Sequence, residues 1–272
     1  MTPSGGQAAP SIALRDAHLA FEGKALFENL ALDLPAGEIT CLLGPSGVGK
    51  SSLLRLIAGL AEGAEGRVED GAGRPLAGRV AYLAQQDLLL PWLKVRDNLL
   101  LGARLRGEAV TPALRERAAE LLALVGLEAW GEALPEALSG GMRQRCALAR
   151  TLMEDRPVVL MDEPFSAVDA ITRFELQDLA AGLLAGRTVF LVTHDPAEAL
   201  RLGQRIHVMA GRPARLDEAL LPPGAPPRPL GEPAFAGLLA ELMARLSSAK
   251  QAAKSSGAKQ AAKRTGSLEA AE

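Results

Sequence analysis

The chain has 272 residues, 48 % hydrophobic and 23 % charged, which suits a globular protein with a sizeable core and excludes a low-complexity chain. A net charge of −2 gives no footing for a nucleic-acid binder that works by counterion release. No apolar run is long enough to cross a bilayer, the start Met1-Thr2-Pro3-Ser4-Gly5-Gly6-Gln7 lacks a signal-peptide pattern, and two cysteines, Cys41 and Cys146, make no disulfide framework, so a reducing cytosol is expected.

In chain order, apolar runs with β-branched content predict strands at 12–14, 17–21, 26–34 and 39–43, punctuated by Gly23 and Pro35-Ala36-Gly37. A helix follows at 52–58 and ends near Gly59. A glycine-rich turn region at 62–78 holds one weak strand, and 79–83 is a further strand. Helices are predicted at 95–106, 112–125 and 141–154, with Thr111-Pro112 as a good helix start. Strand character returns at 158–161, 188–193 and 205–210. This order predicts an α/β fold whose parallel sheet receives an inserted helical block. We assign 10–84 and 156–216 to the α/β core and 85–155 to the insert. Residues 217–247 read as a Pro-rich linker, then an amphipathic helix with Phe235, Leu238, Leu239, Leu242, Met243 and Leu246 on one face. Residues 248–272 repeat Ala-Lys-Gln-Ala-Ala-Lys, and their composition predicts a solvated tail, disordered or partly helical.

Three stretches carry chemistry. Gly44-Pro45-Ser46-Gly47-Val48-Gly49-Lys50-Ser51 is an instance of G-x-x-x-x-G-K-[ST] between a buried strand and a helix, the context a phosphate-binding loop requires. Its glycines let successive N–H groups turn toward a phosphate, and the helix adds its own free N–H groups and positive dipole end. Lys50 is placed to reach the β- and γ-phosphates and Ser51 to ligate Mg²⁺. Only seven of the thirty basic residues are lysines, so this one marks a position that needs a compact ammonium. Second, Val158-Val159-Leu160-Met161-Asp162-Glu163 delivers two carboxylates at the C-terminal end of a strand, where open α/β sheets bind ligands. Asp162 suits the Mg²⁺ shell and Glu163 the attacking water. Third, Leu138-Ser139-Gly140-Gly141-Met142 offers a second helix N-terminus for an anion, capped by Ser139.

Together these motifs resemble, in order and spacing, those of the ATP-binding cassette (ABC) ATPases, over residues 10–216. The resemblance implies a P-loop NTPase (RecA-like) core with an antiparallel β subdomain and an inserted α-helical subdomain. Gly44 to Ser51 is similar to Walker A, so Gly44, Pro45, Ser46, Gly47, Val48, Gly49, Lys50, Ser51 and the adjoining Ser52 are implied to hold ATP. Phe21 matches the aromatic that stacks on adenine. Ser139, Gly140 and Gly141 resemble the signature loop that contacts ATP. Asp162 and Glu163 match Walker B and its catalytic glutamate, Gln85 the glutamine of the Q-loop, and His194 the switch histidine. Glu163, His194 and Gln85 are thus implied catalytic residues, and Ser51, Gln85 and Asp162 the Mg²⁺ ligands. Ser166-Ala167-Val168-Asp169 resembles the D-loop. The chain departs from the pattern at Met142, where glutamine is usual, at Phe21 for tyrosine and at Val168 for leucine.

Gln85-Gln86-Asp87-Leu88-Leu89-Leu90-Pro91-Trp92, with Thr193-His194-Asp195-Pro196-Ala197-Glu198-Ala199, looks like the nitrate, sulfonate and taurine importer ATPases, a branch that also imports thiamine-precursor pyrimidines. That likeness implies a peripheral protein on the cytoplasmic face of the inner membrane, acting as an ATP-dependent head-to-tail homodimer. Its partners would be permease subunits and, indirectly, an extracytoplasmic solute-binding protein, with no nucleic acid. Some of Leu88 to Trp92 are expected to receive a permease helix. An exporter or lipoprotein-release ATPase is the runner-up, and a non-transport ABC protein a more distant third.

Overall fold

The apolar runs expected to be buried strands are buried at every position, because helices cover both faces of a parallel sheet. A computed structural model describes residues 8–21 and 23–269, with side chains to residue 253. In chain order the elements are β1 (Ile12–Phe21), β2 (Lys24–Leu34), β3 (Ile39–Leu43), α1 (Lys50–Ile57), β4 (Glu65–Asp70) and β5 (Val80–Leu83). Four helices follow, α2 (Val95–Leu99), α3 (Leu101–Leu105), α4 (Pro112–Leu124) and α5 (Gly140–Met153). Then come β6 (Val158–Asp162), α6 (Ala170–Leu184), β7 (Thr188–Val192), α7 (Pro196–Leu202), β8 (Arg205–Gly211), β9 (Ala214–Leu216) and α8 (Pro233–Glu269).

The strands form one sheet in the order β4-β1-β2-β9-β8-β3-β7-β6-β5. From β8 to β5 every pairing is parallel, whereas β4, β1 and β2 pair antiparallel, as the expected β subdomain requires. The short β9, which the sequence reading missed, joins the two parts by pairing with β8 on one side and β2 on the other. The period of two divides each central strand between two cores. Cys41, Leu43, Val159, Met161, Val189 and Leu191 face a core shared by the helical insert and α6 to α8, while Leu42, Val158, Leu160, Phe190 and Val192 pack with α1 and the antiparallel strands.

The insert, α2 to α5, lies between β5 and β6, which are neighbours in the sheet. The helix expected at 95–106 is instead two short ones that break at Leu100. Thr111 caps α4 as expected, accepting from Leu114 N at 3.2 Å. Both cysteines are free and buried.

The Pro-rich segment is strapped to the core. Arg228 is 3 % exposed and donates to the carbonyls of Leu200 and Gly203 at the end of α7 and of Pro222, Pro223 and Gly224 in its own segment. The helix C-terminus offers both free carbonyls and a negative dipole end to this cation. α8 then packs through Phe235, Leu242 and Ala249, spaced by seven, with Leu238, Leu239 and Leu246 beside them. Met243, expected on that face, is 52 % exposed. Of the two alternatives expected for the segment from 248, the backbone takes the helical one to Glu269, and its start is not a tail, since Ala249 belongs to the buried seam. Alanine, lysine and glutamine are good helix formers, and a docked helix removes the cost of nucleation.

Candidate functional site

Four parallel strands release the expected motifs side by side. β3 runs into Gly44, β7 into Thr193-His194, β6 ends on Asp162 with Glu163 next, and β5 ends just before Gln85. Their order in the sheet, β3-β7-β6-β5, therefore sets the order of the groups along its C-terminal edge.

After β3 the chain curls tightly. Gly44 has φ 153, and a Cβ there would meet the Met209 carbonyl oxygen at 2.5 Å. Gly49 has φ 111, and a Cβ there would sit 2.9 Å from Leu26 Cγ on the neighbouring β2. Ser46 and Gly47 are exposed at the tip of the loop, and Val48 anchors it in the core. Lys50 is buried, and its Nζ donates to the Gly44 and Pro45 carbonyls at 2.8 and 3.1 Å. The ammonium thus has partners within the chain that the sequence reading did not give. Burial lowers its pKa, and the charges of Glu163 and Asp162 oppose that shift. Gly47, Gly49, Lys50, Ser51 and Ser52 line a cleft of about 970 Å³ that reaches Phe21, whose ring is 72 % exposed.

Asp162 is 1 % exposed at the end of β6. Burial raises its carboxyl above the usual range, against the pull of the neighbouring Ser51 hydroxyl. Its Oδ1 has no hydrogen-bond partner. An orphaned carboxylate oxygen beside a serine hydroxyl fits a hard divalent cation, which takes oxygen ligands and completes its shell with water or phosphate. Among the described residues no group of three or more His, Cys, Asp or Glu side chains could hold a metal alone.

Glu163 sits in the left-handed region at φ 50, unusual for a non-glycine residue and costing about 1–3 kcal/mol. Hydrogen bonds at both of its backbone groups hold it there. Its N–H donates to the Val192 carbonyl at 2.8 Å, and its own carbonyl accepts Ser166 Oγ at 3.1 Å and Gln144 Nε2 at 3.5 Å. The side chain is thereby aimed between two others: Glu163 Oε2 lies 3.3 Å from Gln85 Nε2 and 3.2 Å from His194 Nδ1. The imidazole is 62 % exposed, the carboxylate 18 %. Residues from three strand ends thus converge on one carboxylate oxygen.

Ser139 caps α5 as expected, its Oγ accepting Met142 N at 3.3 Å. Ser139 and Gly140 are exposed, and neither they nor Gly141 line the cleft at α1. A Cβ on Gly141 would meet the Ala167 carbonyl oxygen at 3.1 Å, so this helix start rests on the turn at 166–169. Met142 packs against the core.

Three positioning groups escaped the sequence reading. Gln144 is 4 % exposed and bonds the Pro164 carbonyl at 3.2 Å, tying α5 to the turn after Glu163. Its signal was a polar residue one helical turn before the buried Leu148. Arg150 donates to the Asp87 and Leu88 carbonyls at 2.6 and 2.7 Å, while Arg143 pairs with Asp87 at 3.1 Å. These arginines fix the segment after Gln85 to α5, and Trp92 in it is 71 % exposed rather than core.

The family model described as ABC transporter matches residues 27–166. An uncharacterized ABC transporter ATP-binding protein of Haemophilus influenzae is 47 % identical over 222 residues, 80 % of this chain and 91 % of that protein. The aliphatic sulfonates import ATP-binding protein SsuB 1 of Pseudomonas syringae is 43 % identical over 87 % of this chain and 96 % of its own. Among solved structures, a dimeric ATP-binding cassette in a post-hydrolysis state, bound to ADP and Pi, matches with a TM-score of 0.70 and 29 % identity, covering 78 % of this chain and 99 % of its own.

Proposed function

The chain belongs to the ABC transporter ATP-binding proteins, which hydrolyse ATP, and from that premise we propose that it powers import of a small anion of the aliphatic-sulfonate class through a separate membrane permease. The observation that carries the catalytic reading is the convergence of Gln85 and His194 on Glu163 Oε2, next to the buried Asp162. Lys50 exchanges its two carbonyl partners for the β- and γ-phosphates, and the N–H groups of Gly47 to Ser51 surround them. Phe21 stacks on the base at the far end of the cleft. Ser51, Asp162 and Gln85 would hold Mg²⁺, which when bound would supply neutralising charge to the phosphates. Glu163 takes the proton of the attacking water, while Gln85 and His194 hold its carboxylate in place.

Ser139, Gly140 and Gly141 act on the ATP of a second copy. The exposure of Ser139 and Gly140 and the absence of all three from the cleft lining support a head-to-tail homodimer, and the dimeric cassettes among the structural relatives support it too. Closure on ATP and opening after hydrolysis then drive the permease. Leu88 and Trp92, exposed on a segment that Arg143 and Arg150 pin to α5, receive the permease on the cytoplasmic face of the membrane. Relatives named for aliphatic sulfonates support the solute class; the solute itself is read by the permease and a solute-binding protein.

The test is ATP hydrolysis in proteoliposomes that hold this chain with a candidate importer permease. Adding binding protein loaded with an aliphatic sulfonate should raise the rate and carry the sulfonate toward the ATPase side. Movement in the opposite sense, or indifference to the sulfonate, sinks the import reading. Trp92→Glu should lose co-purification with the permease while retaining nucleotide affinity; a variant that still co-purifies removes Trp92 from the docking surface.

A further inference from the structure

One buried acid joins the turn that carries His194 to a neighbouring helix. Glu198, in the first turn of α7, is 4 % exposed, and its Oε1 has no hydrogen-bond partner. Its Oε2 accepts Gln177 Nε2 from α6 at 3.3 Å, and the Thr193 hydroxyl at the end of β7 lies beside the same carboxyl. Thr193 immediately precedes His194, and its Oγ1 accepts Asp195 N at 3.0 Å. Asp195 in turn caps α7, accepting from Ala197 N at 2.9 Å and Glu198 N at 3.3 Å. The acid, the turn 193–195 and the helix cap are therefore one hydrogen-bonded unit. Its other anchor, α6, starts from Asp169, the end of the turn on which Gly141 rests.

We infer that Glu198 is a positioning residue for His194, locking the turn 193–195 to α6 and through it to the turn at 166–169 beneath the signature helix. The inference rests on the reading of His194 as a group of the reaction site.

The surroundings make this lock sensitive to one proton. On α7 and its cap, Glu198 faces Asp195, while Arg201 is taken by Asp178 of α6. From α6 come Gln177 and Arg173, the latter paired with Asp195 at 3.7 Å. From β3 comes Cys41, whose thiol burial holds neutral; beyond it Arg228 is engaged by backbone carbonyls. Among the described residues no cation within hydrogen-bonding distance is committed to Glu198. Burial raises its carboxyl to about 7, the charge of Asp195 acts in the same direction, and the Thr193 hydroxyl, the Gln177 bond and Arg173 act against them. Losing the proton sets an under-donated carboxylate against Asp195 and pulls Arg173 from the cap of α7. Hydrolysis should fall as pH rises through about 7.

The test is kcat and KM for ATP from about pH 6 to about pH 9 in the full chain, a range that brackets this proton. Glu198→Gln, fixed neutral and of the same shape, should abolish the fall that the wild type shows near neutrality, with KM within about twofold. Gln177→Leu, which removes the α6 donor and serves if Glu198→Gln fails to fold, should lower kcat by about threefold or more with KM unmoved. Gln177→Leu placed on His194→Ala should change kcat no further, because the two act as a unit. Superimposable pH profiles of wild type and Glu198→Gln, or additive losses in the double variant, overturn the inference. Hydrolysis at the wild-type rate by His194→Ala alone overturns the reading of His194, and the inference with it.

Discussion

The helices α1 and α5 both begin at glycine-rich turns, and neither carries an acid in its first turn, yet their ends are finished in opposite ways. α1 is preceded by Gly49 in the left-handed region with no side-chain cap, so its N–H groups stay open toward the cleft. α5 is preceded by Ser139 in extended backbone, and the serine oxygen already holds the Met142 N–H. The first start is enclosed by its own chain, with Leu26 against Gly49 and the Met209 carbonyl against Gly44. The second starts on the surface, with the turn at Ala167 beneath Gly141. The contrast supports the proposal that the α1 site is completed within the chain and the α5 site by a neighbouring chain.

The largest expected effect comes from the residue that both sites need. Glu163→Gln keeps shape and hydrogen-bonding capacity but removes basicity, so hydrolysis should fall by a factor of about 10² or more. Nucleotide affinity should persist, because the loop and Lys50 are untouched. With ATP retained at α1, the α5 site of a second copy should be drawn in. Size-exclusion chromatography should show a dimer with ATP and a monomer without it. Adding Ser139→Arg should return the protein to a monomer while leaving nucleotide binding intact, since the bulky cation fills only the α5 side. A wild-type rate in Glu163→Gln would remove it from the mechanism, and a monomer at saturating ATP would leave the two-chain site unsupported.

The next effect is on stability, and it separates the two starts by one methyl group. Gly49→Ala must accept φ 111 and a clash with Leu26, which should cost about 1–3 kcal/mol. Gly140→Ala meets nothing closer than Arg143 Nη2 at 3.9 Å, so its cost should stay within about 0.5 kcal/mol. Urea denaturation of the two variants reads the difference directly. Equal midpoints would mean that the loop before α1 is no more constrained than the one before α5.

The same contrast marks how much the sequence could reveal. Motifs that are local in sequence were legible: the loop at Gly44 to Ser51, the paired Asp162 and Glu163, and the Ser139 cap each have a pattern that a few neighbouring residues define. Convergence was not legible without a family resemblance, because Gln85, Glu163 and His194 meet only after β5, β6 and β7 align in the sheet. The partners of Lys50 were hidden because they are backbone carbonyls, which every sequence supplies. Arg228 was read as part of a linker, since nothing in a Pro-rich run says that a guanidinium will fold under it and bind five carbonyls. Met243 was misplaced because Phe235, Leu242 and Ala249 fix a narrower seam than six apolar residues suggest.

The smallest effect is expected at the end of α8, remote in sequence from both helix starts. Buried contacts along this helix reach Ala249, after which the described side chains through residue 253 are exposed or half-buried. Removing residues 254–272 leaves the seam of Phe235, Leu242 and Ala249 whole. Loss of a terminal segment outside that seam should shift Tm by less than about 2 °C and leave hydrolysis unaltered. Cutting earlier, before Pro233, removes the seam itself and uncovers the apolar surface of α7 and β8. Burying a large apolar side chain contributes about 1.5–3 kcal/mol, so losing Phe235 and Leu242 together should lower Tm far more. Differential scanning calorimetry of the two truncations separates these outcomes. A fall of more than about 4 °C on removing 254–272 alone would mean that the Ala/Lys segment docks on the core and that the seam extends past Ala249.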